Sequence, residues 1–254
     1  MKIRWYGTAS LSIETENGSV LIDPYIQMRG GESPVKVSDF AEFDEIVCTH
    51  SHFDHICSLP KLYRARPRII FGTDSVHVSL GKFGIPRESL RLVEPGKSFC
   101  AGGIKFTPFK AKHVRYDKKT LLGIIFSPRV IRYLFNLITV TVPAIICKER
   151  GQTVAYLVEA EGRRIFILGS LNYLPDVSYP ENVDLLVLPY QGTSDLLTPA
   201  LKLIDLIKPE AVLLDHFDDA FPPLSHTVDT SDIMALCSDK LKIIKPSYFE
   251  EIIL

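Results

Sequence analysis

Paired cysteines are missing from this chain of 254 residues. The five present (Cys48, Cys57, Cys100, Cys147 and Cys237) are scattered, odd in number and without paired spacing, so no disulfide framework is indicated. Charge of one sign is missing too: 29 Lys and Arg face 30 Asp and Glu, a net −1. That balance speaks against a nucleic-acid groove spread over the surface and leaves room only for a local basic patch. No signal-peptide pattern opens the chain, where Met1-Lys2-Ile3-Arg4-Trp5 leads directly into strand-like sequence. The expectation is a reduced, cytoplasmic setting. Nor is there a run long enough to span a bilayer: the uncharged stretch from Tyr133 to Cys147 is too short, and Pro143 interrupts it. Repeats, linkers and low-complexity segments are also absent. What remains is 46% hydrophobic and 23% charged, a globular balance with material for a sizeable core. We read residues 1–254 as a single domain.

The densest chemistry lies at His50-Ser51-His52-Phe53-Asp54-His55, directly after the apolar run Ile46-Val47-Cys48-Thr49. Three of the seven histidines fall within six positions, which a polar loop alone does not explain. On extended chain, side chains two apart point the same way, so His50 and His52 can grip one ion together. Asp54 and His55 follow where the strand must turn and can swing to a neighbouring point. Imidazole nitrogens and a carboxylate suit zinc first, with manganese or iron as alternatives. Cys48 and Cys57 flank the cluster and are read as packing residues.

His-x-His-x-Asp-His after a short strand resembles the signature of the metallo-β-lactamase superfamily, and Lys208-Pro209 ahead of the strand to His216, continuing to Phe221-Pro222, resembles its lactonase and phospholipase-like branch. The resemblance implies an α/β fold, a four-layer αβ/βα sandwich of two mixed β-sheets flanked by helices. It also implies a site at the edge where strand ends meet, holding one or two divalent metal ions, and extends over nearly the whole chain. Val20-Leu21-Ile22 returns from a Glu16-Asn17-Gly18 turn and ends at Asp23-Pro24. In the superfamily an Asp here orients a ligand histidine; a turn-forming Asp-Pro is the competing reading. His113 follows the alternating strand Ile104 to Lys110 and is the next expected ligand, closing a His50/His52/His113 set. The strand from Ala211 to Asp215 delivers His216, which the resemblance joins to Asp54 and His55 at a second metal. Asp215, Asp218 and Asp219 could bond that imidazole or face solvent. His77 lies within an expected helix, away from the other ligand candidates, and reads as surface or packing.

One position departs from the pattern. After the hairpin of Thr153 to Val158 and Arg164 to Leu168, the superfamily has Gly-Asp, whose carboxylate bridges two metals. This chain has Gly169-Ser170. A hydroxyl cannot supply the bridging charge, so Ser170 puts a dinuclear site in doubt. Asn172 and Asp176 are nearby polar alternatives.

The resulting expectation is a metal-dependent hydrolase of an ester, lactone or phosphodiester bond in a small, anionic substrate, using metal-activated water. Asp54 is assigned to orient that water or take its proton. Lys112 and Arg115, within a basic run around His113, are candidates for substrate binding, although such runs are more often solvated loops. Two alternatives stand beside this: a degenerate member that is mononuclear or only binds a ligand, and a nucleic-acid phosphodiesterase.

The stretch from Leu121 to Cys147 carries only Arg129 and Arg132 as charges. Pro128 would open a helix of roughly three turns, and Ala144 to Lys148 reads as a strand. Ordinary core is one reading. The sharper one is an insertion beside the site: an apolar lid or dimer contact in preference to a membrane-surface element. A homo-oligomer is therefore one expected state.

Elsewhere the spacing predicts a helix over Ser75 to Phe83 and a strand at Asp184 to Pro189. It also predicts a helix over Thr198 to Lys208 capped by Thr198, and a last strand at Leu241 to Ile244.

Overall fold

The computed structural model describes residues 1–239 and 241–254. Six strands in chain order begin the first sheet: β1 (Lys2–Gly7), β2 (Ser10–Thr15), β3 (Gly18–Ile22), β4 (Glu45–Val47), β5 (Ile69–Gly72) and β6 (Leu90–Leu92). The second sheet takes β7 (Phe99–Ala101), β8 (Ile104–Ala111), β9 (Thr153–Ala160), β10 (Arg163–Ile167), β11 (Leu185–Pro189), β12 (Ala211–Asp215) and β13 (Lys242–Ile244). The chain then returns to the first sheet with β14 (Glu251–Ile253), which pairs antiparallel with β1. The orders are β14-β1-β2-β3-β4-β5-β6 and β13-β12-β11-β10-β9-β8-β7.

Both sheets are mixed in the same way. From β14 to β3 and from β7 to β10 the neighbours are antiparallel. From β3 to β6 and from β10 to β13 they are parallel. The sequence dictates the difference. β8 alternates buried and exposed residues, as a strand with one wet face must. β11, Leu-Leu-Val-Leu-Pro, is buried throughout, because a parallel strand in an α/β layer is covered on both faces.

One apolar core joins the facing sheets, with Trp5, Leu11 and Ile22 from the first among Phe106, Tyr156, Phe166 and Leu213 from the second. A second core lies between the first sheet and α2 (Leu59–Ala65) and α3 (Asp74–Lys82), through Leu59, Leu62, Val76 and Leu80. On the far side of the second sheet, α7 (Leu197–Ile207) buries Ala200, Leu203 and Ile207. These are the expected four layers.

Four local expectations are corrected. The segment from Ala144 is helical through Ile146, and Pro143 lies inside that helix. Pro128 does not open one helix of three turns, because the axis breaks at Tyr133 between a short Arg129–Arg132 turn and the longer Leu134–Ile146 helix. Thr198 does not cap its helix: its amide donates to Asp195 Oδ1 at 3.1 Å, which places the acceptor before the first turn. The last strand is β14, where short length and two exposed side chains hid the signal.

Candidate metal centre

The polar groups converge where strands of both sheets end. Beyond β4 the chain runs through Cys48 and Thr49 to His50 and His52, and then enters the one-turn helix α1 (Phe53–Ile56), which carries Asp54 and His55. β8 leads to His113, β10 to Ser170 and β12 to His216. The structure brings the six ligand candidates into two neighbouring groups, His50/His52/His113 and Asp54/His55/His216. Within each, the ligating atoms lie within 4.8 Å of one another. The rings of His50 and His55, one from each group, are 3.9 Å apart.

Hydrogen bonds behind the rings decide which nitrogen faces inward. Asp23, at the end of β3, accepts from the Thr49 amide at 2.9 Å and from the Thr49 hydroxyl at 2.5 Å. Its Oδ2 also lies 2.8 Å from His55 Nδ1. With its proton committed to Asp23, the Thr49 hydroxyl is left to accept from His50 Nδ1 at 3.1 Å. His113 Nδ1 is 2.5 Å from the Val114 carbonyl, and His216 Nδ1 is 3.1 Å from Asp215 Oδ1. Four imidazoles are thereby held as Nδ1–H tautomers, which leaves the Nε2 lone pairs to the interior of the site. His52 is the exception: its Nδ1 faces inward, 2.9 Å from His113 Nε2.

The donor set fits a divalent cation. His50 is fully buried, and its Nε2 finds no hydrogen-bond partner among the described residues. A buried polar atom without a partner is costly, and so rare in folded proteins. Around it stand four further imidazoles, with the Asp54 carboxylate in the adjoining group, the borderline nitrogen and oxygen donors that zinc, manganese and iron accept.

Electrostatics favour neutral donors in the first group. Burial holds His50 well below its ordinary value, and the neighbouring histidines add to the effect. Burial also lowers His52, and burial with His52 alongside brings His113 down to about 4. All three are neutral lone-pair donors at neutral pH. Burial alone would raise the Asp54 carboxyl, but the surrounding imidazoles, His55 and His216 foremost, prevail and lower it. Burial would lower His216, yet the Asp215 carboxylate beside it raises it to about 9, so the free site holds this ring doubly protonated at neutral pH and a bound cation would have to displace its Nε2 proton.

Backbone strain marks two of these positions. Asp23 has φ +43° and His216 φ +56°, both left-handed, a region non-glycine residues seldom enter. The His216 amide is held by the Thr8 carbonyl at 3.0 Å. That carbonyl also accepts from the Trp5 indole at 3.0 Å. Phe217, next along the chain, stacks on Trp5 with 4.8 Å between ring centres. Gly169 serves a close approach, because a Cβ there would meet the Thr49 Cβ at 2.7 Å.

The remaining candidates take separate places. The Ser170 hydroxyl accepts from the Val114 amide at 2.9 Å and borders the cavity. Asn172 donates to the His113 carbonyl at 3.2 Å, whereas Asp176 is exposed and outside the cavity wall. Of the three acids near His216, only Asp215 bonds it. Asp218 accepts from the Thr8 amide and Tyr248, and Asp219 from Arg129 and Ser225. Cys48 is packed in the helix-side core, and His77 lies in α3, half-buried and away from both groups.

The two groups open into a cavity of about 770 Å³ whose wall includes Lys112 and Arg115. Sequence reading missed Thr49, whose hydroxyl links Asp23 to His50. It also missed Tyr116, Cys147, Lys148 and Glu149 on the cavity wall. A threonine directly before the first histidine was the available signal for one of them; the others come from segments distant in sequence.

A family model described as the beta-lactamase superfamily domain matches residues 19–217. A UPF0173 protein of Pyrococcus abyssi is 24% identical over 219 residues, 85% of this chain and 83% of that one. A UPF0173 metal-dependent hydrolase of Methanobrevibacter smithii is 32% identical over 114 residues, 44% of this chain, and the match spans about half of that protein, 46%. Among solved structures, one described as a novel metallo hydrolase from Ignicoccus hospitalis superposes with a TM-score of 0.63 at 18% identity. It covers 99% of this chain and 97% of the other. The matched span runs from β3 to just past His216 and so includes every residue of both ligand groups, and on that ground the chain belongs to the metallo-β-lactamase superfamily.

Proposed function

We propose that this protein is a metal-dependent hydrolase that cleaves an ester, lactone or phosphodiester bond in a small, anionic molecule. The observation that carries this reading is the orientation of the imidazoles: their Nδ1 protons are engaged behind the site, while buried Nε2 atoms meet with His50 Nε2 unsatisfied. His50, His52 and His113 would hold one ion; Asp54, His55 and His216 would hold a second, with zinc the first candidate. A divalent ion held there supplies Lewis acidity and makes water ionise near neutral pH.

The chain's own groups supply the rest. Asp54 is ionised beside the cavity and can orient a water or accept its proton. Lys112, Arg115 and Lys148 on the wall outnumber the carboxylates Asp54 and Glu149, an excess of positive charge that favours an anionic substrate. A volume of about 770 Å³ suits a small molecule.

A single-ion variant of this reading is favoured by Ser170. Its hydroxyl carries no charge and is already engaged by the Val114 amide, so it offers little to hold two cations together.

The test is metal content by mass spectrometry on protein purified without chelator, for the wild type and Asp54→Ala, with hydrolysis of generic phosphodiester and lactone substrates. Two equivalents falling to one in the variant support two ions, and one equivalent retained in both supports one. Activity that disappears in His52→Ala supports catalysis. No metal after loading would overturn the hydrolase reading.

A further inference from the structure

Three helices follow one another between the strands that deliver His113 and Ser170: α4 (Lys118–Ile125), α5 (Arg129–Arg132) and α6 (Leu134–Ile146). Their large apolar side chains point outward. Ten of them, from Leu121 to Ile145, are between 43% and 84% exposed. On α6 the exposed large apolar set is Leu134, Phe135, Ile138, Val142 and Ile145, a single face by helical spacing. The opposite side carries buried Asn136 and Val140. α4 buries no residue at all.

This face is held firmly. The Asn136 amide donates to the carbonyls of Arg29 and Pro222 at 2.9 and 2.7 Å. Arg129 pairs with Asp219 and donates to the Ser225 carbonyl. The outward side chains do not roof the cavity, because none of the ten borders it. The chain on either side does: Tyr116 before α4, and Ala144, Cys147 and Lys148 at the end of α6.

Charge distinguishes the occupants. From Lys118 to Lys148 there is no acidic residue, while Lys118, Lys119, Arg132 and Lys148 are exposed cations. In a two-fold dimer the same patch faces itself, which would set these cations against one another with no carboxylate in the segment to answer them. An anionic lipid surface answers them directly and accepts the apolar face at the headgroup boundary. Among the described residues no helix is long and apolar enough to cross a membrane, so the geometry is that of lying on a bilayer rather than spanning it.

We infer that the α4–α6 face is a docking surface for anionic lipid bilayers, and that it places the cavity mouth beside the headgroups. This does not rest on the hydrolase reading, since vesicle binding is measured without activity.

The experiment is co-sedimentation of the full chain with vesicles of phosphatidylcholine alone or mixed with phosphatidylglycerol, alongside light scattering of the protein without lipid. The expected result is binding to the mixed vesicles that weakens with added salt. Replacing Phe126, Ile131 and Phe135 by Ser should weaken it about tenfold or more, with far-UV circular dichroism unchanged. Lys118→Glu with Lys119→Glu should do the same by roughly tenfold, and this pair tests the inference even if the triple variant misfolds. Protein left in the supernatant with both vesicle types would overturn it. So would equal binding to both, or a solution dimer that fails to bind vesicles and separates in the triple variant.

Discussion

Asp23 Oδ2 stands 2.8 Å from His55 Nδ1, although 32 positions of chain separate the two residues. The same carboxylate takes both donors of Thr49, and Thr49 in turn positions His50. One residue at the end of β3 therefore orients a histidine of each ligand group. Asp23→Asn keeps the shape, and Asn tolerates the left-handed backbone. Zinc affinity, measured by competition with a chromophoric chelator, should fall by about 10- to 100-fold. Unchanged affinity would mean the network is only structural.

Thr49→Val removes the hydroxyl with little change of volume. His50 Nδ1 and Asp23 Oδ2 then each lose a buried partner, at a cost of about 1–3 kcal/mol. Thr49→Ser, which restores the hydroxyl, should recover most of it. Urea unfolding of both variants is the check, and a Val variant as stable as the wild type would sink the argument.

Gly169→Ala should destabilise by about 1–3 kcal/mol, because the new Cβ would meet the Thr49 Cβ at 2.7 Å and the Val154 carbonyl at 3.0 Å. Gly81→Ala is the contrast. Its Cβ meets nothing within 4 Å inside helix α3, so a gain of roughly 0.5–1 kcal/mol is expected. Opposite signs in one denaturation series would distinguish steric need from general intolerance of glycine replacement.

Chelation should lower the melting temperature. An ion that binds only the folded chain adds about 4 kcal/mol at a thousandfold excess over its dissociation constant, and His50 Nε2 gives such an ion a buried, unsatisfied ligand. Scanning calorimetry with and without a chelator measures this, and coincident melts would contradict a resident metal.

Ser170→Asp tests the departure at the bridging position. The carboxylate can still accept from the Val114 amide and adds a negative charge to the cavity wall. Affinity for a second equivalent of zinc should rise by about tenfold or more. No change in the second equivalent would place residue 170 outside the reach of either ion.

The fold was legible because its signals are local. The β2–β3 hairpin announces itself through Glu16-Asn17-Gly18, and β11 through an uninterrupted apolar run. The histidine pair at 50 and 52 needs only the period of an extended chain to face one point. Elements set by distant partners were harder: β14 is three residues long and exists by pairing with β1. The Leu121–Cys147 segment is apolar in sequence but exposed in space, and composition alone cannot say which side of a helix a core will take.

By itself the sequence determined the layered α/β architecture, the strand ends that carry His50, His52, His113 and His216, and the missing carboxylate at Ser170. The strand ends and the His50/His52 pair follow from periodicity and residue type, which act over a few positions. The four-layer arrangement, the joining of His113 and His216 to the ligand set and the carboxylate expected at 170 are what the resemblance of the motif to the superfamily implied. Only the tertiary structure decided which nitrogen of each ring faces inward, because that depends on Asp23, Thr49, Val114 and Asp215 lying behind the rings. It also decided that α4–α6 turn their apolar side chains to the outside, since exposure is a property of the packed chain and not of the residues in it.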